Sequence, residues 1–340
     1  MRDAVKNMKL IGWGTTPKDA LVLKWGENLY PPSQNIVNAI CRSAGSVNLY
    51  PDPFKSELMD ELQRYTGLNR ENILITNGAD KAFRLIAETF VEPGIRCVTF
   101  TPSYPVFDIV VKLMGGKLIE VPLDLDFKIN TVPRADILYI CNPNNPTSNL
   151  VIDTDKLFEI LDSGVLVVLD EAYYEFSGVT YSNLVNDYDN LIILRSFSKG
   201  FGLAGLRVGY VLASRQTIRS MKKVEDNMEI FNVSAPSLAG AAAALQDIDY
   251  MRSNIKKIES TKKRFMRELD LDFVDSKTSF LFFSLDRIRA QEFVDMMKRK
   301  NIILKDCSIY SGLGPNWVYM AVPKSKDEDF VIKAIKEVLK

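Results

Sequence analysis

Between residues 73 and 212 the chain alternates short, mostly apolar runs with longer stretches in which apolar side chains return every three or four positions. The short runs cover 73–76, 96–100, 117–121, 136–140, 165–169, 191–194 and 208–212. Runs this short with both alternate positions apolar predict strands buried on two faces. Residues 55–65 place Leu58, Leu62 and Tyr65 on one helical stripe, and 81–90 does the same with Phe83, Ile86 and Phe90. Strands and amphipathic helices in alternation build a mostly parallel sheet covered by helices. The expected fold is therefore α/β: a three-layer α/β/α large domain around a mostly parallel seven-stranded sheet.

The texture changes after Ser237. Alanine-rich 238–245 runs into a long charged helix that reaches Leu269, and a smaller α+β segment follows. This predicts an N-terminal arm over 1–35, a large domain over 36–235 and a small C-terminal domain over 236–340. No internal repeat, low-complexity tract or Gly/Ser linker separates them, so the two domains are expected to pack together.

Composition narrows the chemistry. Lys+Arg and Asp+Glu balance at 43 each, with no basic block of five or more, which argues against nucleic acid and anionic membrane as partners. No apolar run approaches the roughly 20 residues of a membrane span, and the N-terminus lacks the apolar core of an export signal; the expected location is the cytoplasm. Cys41, Cys97, Cys141 and Cys307 lie far apart without Cys-x-x-Cys spacing. They read as apolar fillers, with no metal site expected. The 340 residues include no histidine, which removes Ser-His-Asp and Cys-His triads and leaves proton transfer to Lys, Tyr, Asp, Glu or Cys.

The segment Ser196-Phe-Ser-Lys-Gly-Phe-Gly-Leu-Ala-Gly-Leu-Arg207 sets one lysine between hydroxyls and a glycine turn, with an arginine eight residues on. A lysine amine condenses with an aldehyde as a Schiff base, while Ser196, Ser198, backbone N–H groups and Arg207 suit a phosphate. Lys199 is thus the candidate reactive residue for a phosphorylated aldehyde. Asp170 closes a predicted strand, where a carboxylate can pair with a protonated pyridine nitrogen and keep that ring electron-poor. Tyr173 and Asn145 can reach the ring's phenolic oxygen. Thr76-Asn-Gly78-Ala79-Asp80 ends a strand and opens a helix, a place where backbone N–H groups bind anions. Tyr104, following another strand, can stack on a flat ring.

Three other readings of these residues fail on context. Gly200-Phe-Gly-Leu-Ala-Gly205 fits a dinucleotide fingerprint, but it follows six predicted strands instead of opening the first. Ser196-Phe-Ser-Lys199 matches Ser-x-x-Lys of penicillin-recognising enzymes, yet Tyr181-Ser-Asn183 lies on the wrong side of it. An ATPase reading of Leu166–Glu171 lacks a Gly-x-x-x-x-Gly-Lys loop.

Gly26-Glu-Asn-Leu-Tyr30, Asn48-Leu-Tyr-Pro-Asp52, Asn77-Gly-Ala-Asp80, Asn142-Pro-Asn-Asn-Pro-Thr147, Asp170-Glu-Ala-Tyr173 and Ser196–Arg207 together resemble the fold-type I aminotransferases that use pyridoxal 5′-phosphate, specifically the histidinol-phosphate aminotransferase subfamily. The resemblance runs from about residue 20 to the C-terminus. It implies that Lys199 carries the cofactor, Asp170 pairs with the ring nitrogen, Tyr173 and Asn145 bind the ring oxygen, and Tyr104 stacks on the ring. Gly78, Ala79, Asp80, Ser196, Ser198 and Arg207 would hold the phosphate. It also implies small-molecule amino donors and acceptors and a homodimer in which Tyr50 reaches the neighbouring subunit's phosphate. A decarboxylase of phosphorylated amino acids resembles this subfamily too and is the alternative reaction. A binding protein without turnover would have lost the lysine or the aspartate, and both are present.

The chain departs from its relatives at the substrate end. Where they carry two arginines near the C-terminus, Tyr319 and Lys305 stand here, and Ser148 replaces a glycine after Asn-Pro-Thr. Lysine lacks the planar fork of arginine and tyrosine lacks its charge, so the expected substrate is a phosphorylated or sugar-pathway amine or ketone other than histidinol phosphate.

Overall fold

The computed structural model describes residues 1–6, 8 and 17–340; the remainder of the predicted N-terminal arm lies outside the described residues. A first short strand, β1 (Leu21–Val22), is followed by the strands of the large sheet: β2 (Ile73–Thr76), β3 (Arg96–Thr101), β4 (Lys117–Pro122), β5 (Ile137–Cys141), β6 (Leu166–Asp170), β7 (Leu191–Ser196) and β8 (Gly209–Ala213). All seven strands of the sequence reading are present, displaced by no more than about two residues at either end. Their order is β2-β8-β7-β6-β5-β3-β4. Only β8 runs against its neighbours, pairing antiparallel with β2 and β7. The other six strands are parallel and therefore present their carboxyl ends along one edge, where α/β sheets bind ligands.

Helices cover both faces because both faces are apolar. Val98, Leu138, Ile140, Val167, Leu169 and Ile193 point into one core with the helices 34–43, 56–66 and 154–162; Cys97, Tyr139, Cys141, Val168 and Ile192 point into another with 78–90, 106–114 and 215–228. The helix predicted at 81–90 starts three residues earlier, at Gly78, so its first turn sits directly on the end of β2.

The second sheet is small and antiparallel, in the order β12-β13-β10-β9, from β9 (Asp272–Phe273), β10 (Phe280–Ser284), β12 (Lys305–Asp306) and β13 (Trp317–Ala321). β11 (Ile302–Ile303) pairs with β1 in parallel. This clips the chain start to the C-terminal part, and Leu21, Leu23, Leu29 and Tyr30 join the small core. The helix Ala235–Gln246, placed by sequence texture in the small domain, instead buries Ala241–Leu245 in the large core. Its alanines let neighbouring helices approach: an added Cβ at Gly240 would lie 2.6 Å from Leu206 and 3.0 Å from Ile40. The two cores exchange along the helix Ile248–Glu268, where Met251 and Ile255 belong to the large core and Ile258 and Phe265 to the small one. No described helix is long and apolar enough to cross a membrane.

Ser148, the residue that replaces the relatives' glycine, has φ +67° and is fully buried, and its hydroxyl has no hydrogen-bond partner. A left-handed backbone costs a side-chain-bearing residue about 1 kcal/mol or more, and an unpaired buried hydroxyl adds a similar amount. Ser148→Gly is expected to stabilise the protein by about 1–3 kcal/mol, read as a raised thermal midpoint. An unchanged or lowered midpoint would show that the turn is not strained.

Candidate active site

Thr76, Thr101, Cys141, Asp170 and Ser196 are the last residues of five of the six parallel strands, and the loops that follow them wall a single cleft. Of the candidate residues, Ala79, Asp80, Tyr104, Asn145, Asp170, Tyr173, Ser196, Ser198, Lys199 and Arg207 line it. Gly78 lies just behind the wall and Tyr50 is elsewhere, on the surface.

One end of the cleft is built for an anion. The helix Gly78–Phe90 has no side-chain cap, so its first amides are left without partners and point, with the helix dipole, toward the opening. The glycines are required by close approach. Gly78 has φ +72°, and an added Cβ at Gly209 would lie 2.7 Å from the Gly78 carbonyl carbon and 2.8 Å from the Ala79 nitrogen. Arg207 Nη1 donates to Ser198 Oγ at 3.4 Å, and Nη2 donates to Asp80 Oδ2 at 3.1 Å. Tyr104 donates to Asp80 Oδ1 at 2.9 Å. With its carboxylate occupied by Arg207 and Tyr104, Asp80 has its backbone N–H to offer an anion.

At the cleft floor, Asp170 is 4% exposed. Its carboxylate accepts from the Ala172 N–H at 2.9 Å and the Tyr139 hydroxyl at 3.1 Å, and the Cys141 thiol lies 3.8 Å away. None of these donors is a cation, so burial prevails and lifts the carboxyl to about 6. Across from it, Lys199 Nζ donates to the Trp25 and Gly26 carbonyls, both at 3.3 Å. Burial lowers this amine to about 8, against the opposing pull of Glu27, Asp170 and Asp80. The Asn145 Oδ1 and the Tyr173 hydroxyl are buried with no hydrogen bond of suitable distance and angle, and the Tyr319 hydroxyl stands beside that of Tyr173. Two orphaned polar groups beside an amine and a lone carboxylate are what a polar ring would satisfy.

These walls fit a phosphate, a flat ring with a basic nitrogen and an oxygen substituent, and an aldehyde, each at a separate loop. The family model of aminotransferase class I and II matches residues 18–333. The chain belongs to that family. A histidinol-phosphate aminotransferase of Archaeoglobus fulgidus is 32% identical, with 92% of this chain and 97% of the relative covered. One from Methanocaldococcus jannaschii is 29% identical over 100% of this chain and 97% of its own. The solved histidinol-phosphate aminotransferase of Sinorhizobium meliloti, in complex with pyridoxal-5′-phosphate, superposes with a TM-score of 0.87 at 26% identity, covering 100% and 97% of the two chains.

Three features of this aminotransferase were not assigned from sequence. Trp25 and Glu27 line the cleft, brought there by the β1–β11 clip, a long-range pairing that no local pattern signals. Cys141, read as a filler, also lines it; its position two residues after Tyr139 on a strand whose end carries the Asn/Pro loop was the available clue. At the substrate end, β12 pairs with β13 so that Lys305 lies opposite Tyr319. Tyr319 is buried and stacks on Phe280 with ring centroids 4.0 Å apart. Lys305 donates to the Tyr310 hydroxyl and lies 5.6 Å from the Tyr319 ring, and burial lowers its amine.

Because the Lys199 amine is held near 8, its uncharged fraction rises about tenfold per pH unit below that value and levels off above it. Reductive methylation of Lys199 by formaldehyde, followed by peptide mass spectrometry, is expected to plateau near pH 8. A plateau near the ordinary lysine value would show that the amine is not desolvated.

Proposed function

We propose that this aminotransferase binds pyridoxal 5′-phosphate in the cleft and moves amino groups between small-molecule donors and acceptors, with Lys199 as the residue that acts on the substrate α-carbon. The observation that carries the reading is the pairing of Lys199 with the orphaned Tyr173 and Asn145 oxygens and the cation-free Asp170 around one ring-sized space. The bound cofactor supplies an electron-poor ring that stabilises negative charge at the substrate α-carbon.

The residues divide the remaining work. Gly78, Ala79 and Asp80 offer amides, and Ser196, Ser198 and Arg207 offer hydroxyls and a guanidinium, to the phosphate. Tyr104 covers one face of the ring. Asp170 provides the negative charge that keeps the ring nitrogen protonated; that pairing in turn relieves the burial that raises Asp170. Tyr173 and Asn145 bind the ring oxygen. Lys199 would take up the proton that leaves the substrate α-carbon and later give one back, a task suited to an amine whose proton affinity burial has brought down toward neutrality. With lysine as acid and base, histidine is unnecessary.

Curated relatives carry the name histidinol-phosphate aminotransferase. At the distal end, this chain meets the substrate's acidic group with Lys305 and the hydroxyls of Tyr310 and Tyr319, and we assign it an amine other than histidinol phosphate. The location proposed is the cytoplasm.

The test is an absorption spectrum of the protein with pyridoxal phosphate, then with glutamate and a panel of phosphorylated amines, histidinol phosphate included. A visible band that Lys199→Ala cannot form, and that an amine bleaches, is expected. A band independent of Lys199 would overturn the reading. Carbon dioxide release without amino transfer would replace transamination by decarboxylation, and equal turnover of histidinol phosphate would overturn the substrate assignment.

The functional unit proposed is a homodimer. Val47, Leu49, Tyr50, Phe54 and Phe231 form an exposed apolar surface, with Tyr50 81% exposed and stacked on Phe231 at 4.5 Å. The groove beside it is shared by Leu49, Phe231 and Arg207, which places the patch next to the phosphate end, and patches of this kind mark protein interfaces. Sedimentation is expected to give twice the 38.4 kDa chain mass, and Tyr50→Ala to weaken cofactor binding about tenfold with the dimer intact. A monomer with full cofactor affinity would overturn it.

A further inference from the structure

Tyr139 takes no part in the cleft wall, yet its hydroxyl is aimed at the cleft floor. It sits on β5 two residues before Cys141, and two residues along a strand is one step on the same face. Cys141 is paired in register with Asp170 of β6, so Tyr139 and Cys141 both approach the Asp170 carboxylate from one side. The Tyr139 ring is fully buried, stacked on Phe107 at 5.0 Å and edge-on to Phe83 at 5.4 Å. These contacts direct the hydroxyl to Asp170 Oδ2, at 3.1 Å, with the Cys141 thiol beside it. Oδ1 is held independently by the Ala172 N–H.

We propose that Tyr139 is a positioning residue: its hydroxyl fixes the orientation and negative charge of the Asp170 carboxylate, and through it the contact with the cofactor's ring nitrogen. The inference rests on the cofactor reading above. A carboxylate shut away from water and from cations needs donors to stay charged, and donors on both oxygens also stop it rotating. Of the three, the Ala172 amide is backbone and the Cys141 thiol is distant and weak, so the phenol is the strong side-chain donor. The other titratable groups around Asp170 do not substitute for it. Asp80 opposes its charge, Tyr104 donates to Asp80, Tyr173 makes no bond, and Lys199 donates to the carbonyls of Trp25 and Gly26.

Tyr139→Phe removes the hydroxyl and keeps the ring stack. The measurement is binding to the apoenzyme of 4′-deoxypyridoxine 5′-phosphate, which has the ring nitrogen but no aldehyde to engage Lys199, and of its 1-deaza counterpart, which lacks the nitrogen. Loss of a hydrogen bond to a charged group is expected to weaken the first probe about tenfold or more and leave the second unchanged. Losing a donor to the charged form raises the carboxyl further, so binding of the first probe should fail at higher pH as the solution is acidified. In an Asp170→Asn background the substitution should add nothing. Equal weakening of both probes would reduce Tyr139 to packing, and no weakening of either would make its hydroxyl irrelevant; each overturns the inference. Failure of the unsubstituted apoenzyme to bind the first probe would instead overturn the cofactor reading.

Discussion

A carboxylate enclosed at the end of β6 with no cation beside it is the constraint on which the rest of the molecule turns. Burying Asp170 in that state is unfavourable, and its carboxyl is raised in consequence. The fold tolerates it because β5 supplies a phenol and a thiol and the following turn supplies an amide. It also disposes of the adjacent acid separately. Glu171 turns away and forms a buried pair with Arg195 at 2.9 Å, reinforced by Thr180 and the Tyr181 N–H. One acid of the Asp-Glu pair is thereby neutralised within the protein, while the other is kept for a ligand. The same arrangement bears on the lysine: an amine facing this carboxylate, desolvated and bonded to no acid, has its pKa lowered to about 8.

The two ends of the cleft differ in how they treat charge. At the phosphate end the donors are largely backbone amides, fixed by a helix start and by glycines that permit the chain to come within 2.8 Å of positions a side chain would fill. Such donors lose no side-chain freedom on binding. Behind Tyr173 lie side chains of the small sheet, where Phe280, Phe282, Tyr319 and Cys307 form a buried cluster with it. The cofactor end is therefore built on the loops of the seven-stranded sheet, whereas the small sheet carries the other cluster.

Most of the fold was legible because it is written locally. The strands are short and, apart from the edge strand β4 with Lys117 and Glu120, apolar on both faces, a pattern with few competing readings, and each site loop lies directly at a strand end where punctuation by Gly, Pro and Asn marks it. What escaped was long-range or ambiguous in period. The alanine-rich helix has no polar stripe to say which core it serves, and its place in the large core depends on helices two hundred residues earlier. Trp25 and Glu27 reach the cleft because Leu21 and Val22 pair with Ile302 and Ile303, two residues against two, a signal too brief to read. Tyr139 looked like any strand aromatic; its hydroxyl becomes informative only once β5 and β6 are in register.

Lys305 and Tyr319 show why replacing an arginine is more than a loss of charge. Among the described residues the Lys305 ammonium is hydrogen-bonded only to Tyr310, leaving two of its three donors available. An arginine would present a planar pair of N–H groups that selects a carboxylate by shape. An ammonium bracketed by phenols offers a point charge and hydroxyls that rotate, which suits a tetrahedral anion as readily as a planar one. Tyr319 also occupies space: its hydroxyl stands 1.9 Å from where a Cβ on residue 26 would be, so Gly26 and Tyr319 are matched, one small because the other is large. An arginine at 319 would meet a wall shaped for tyrosine, so the shape and charge around Gly26, Tyr319, Lys305 and Tyr310 are set together.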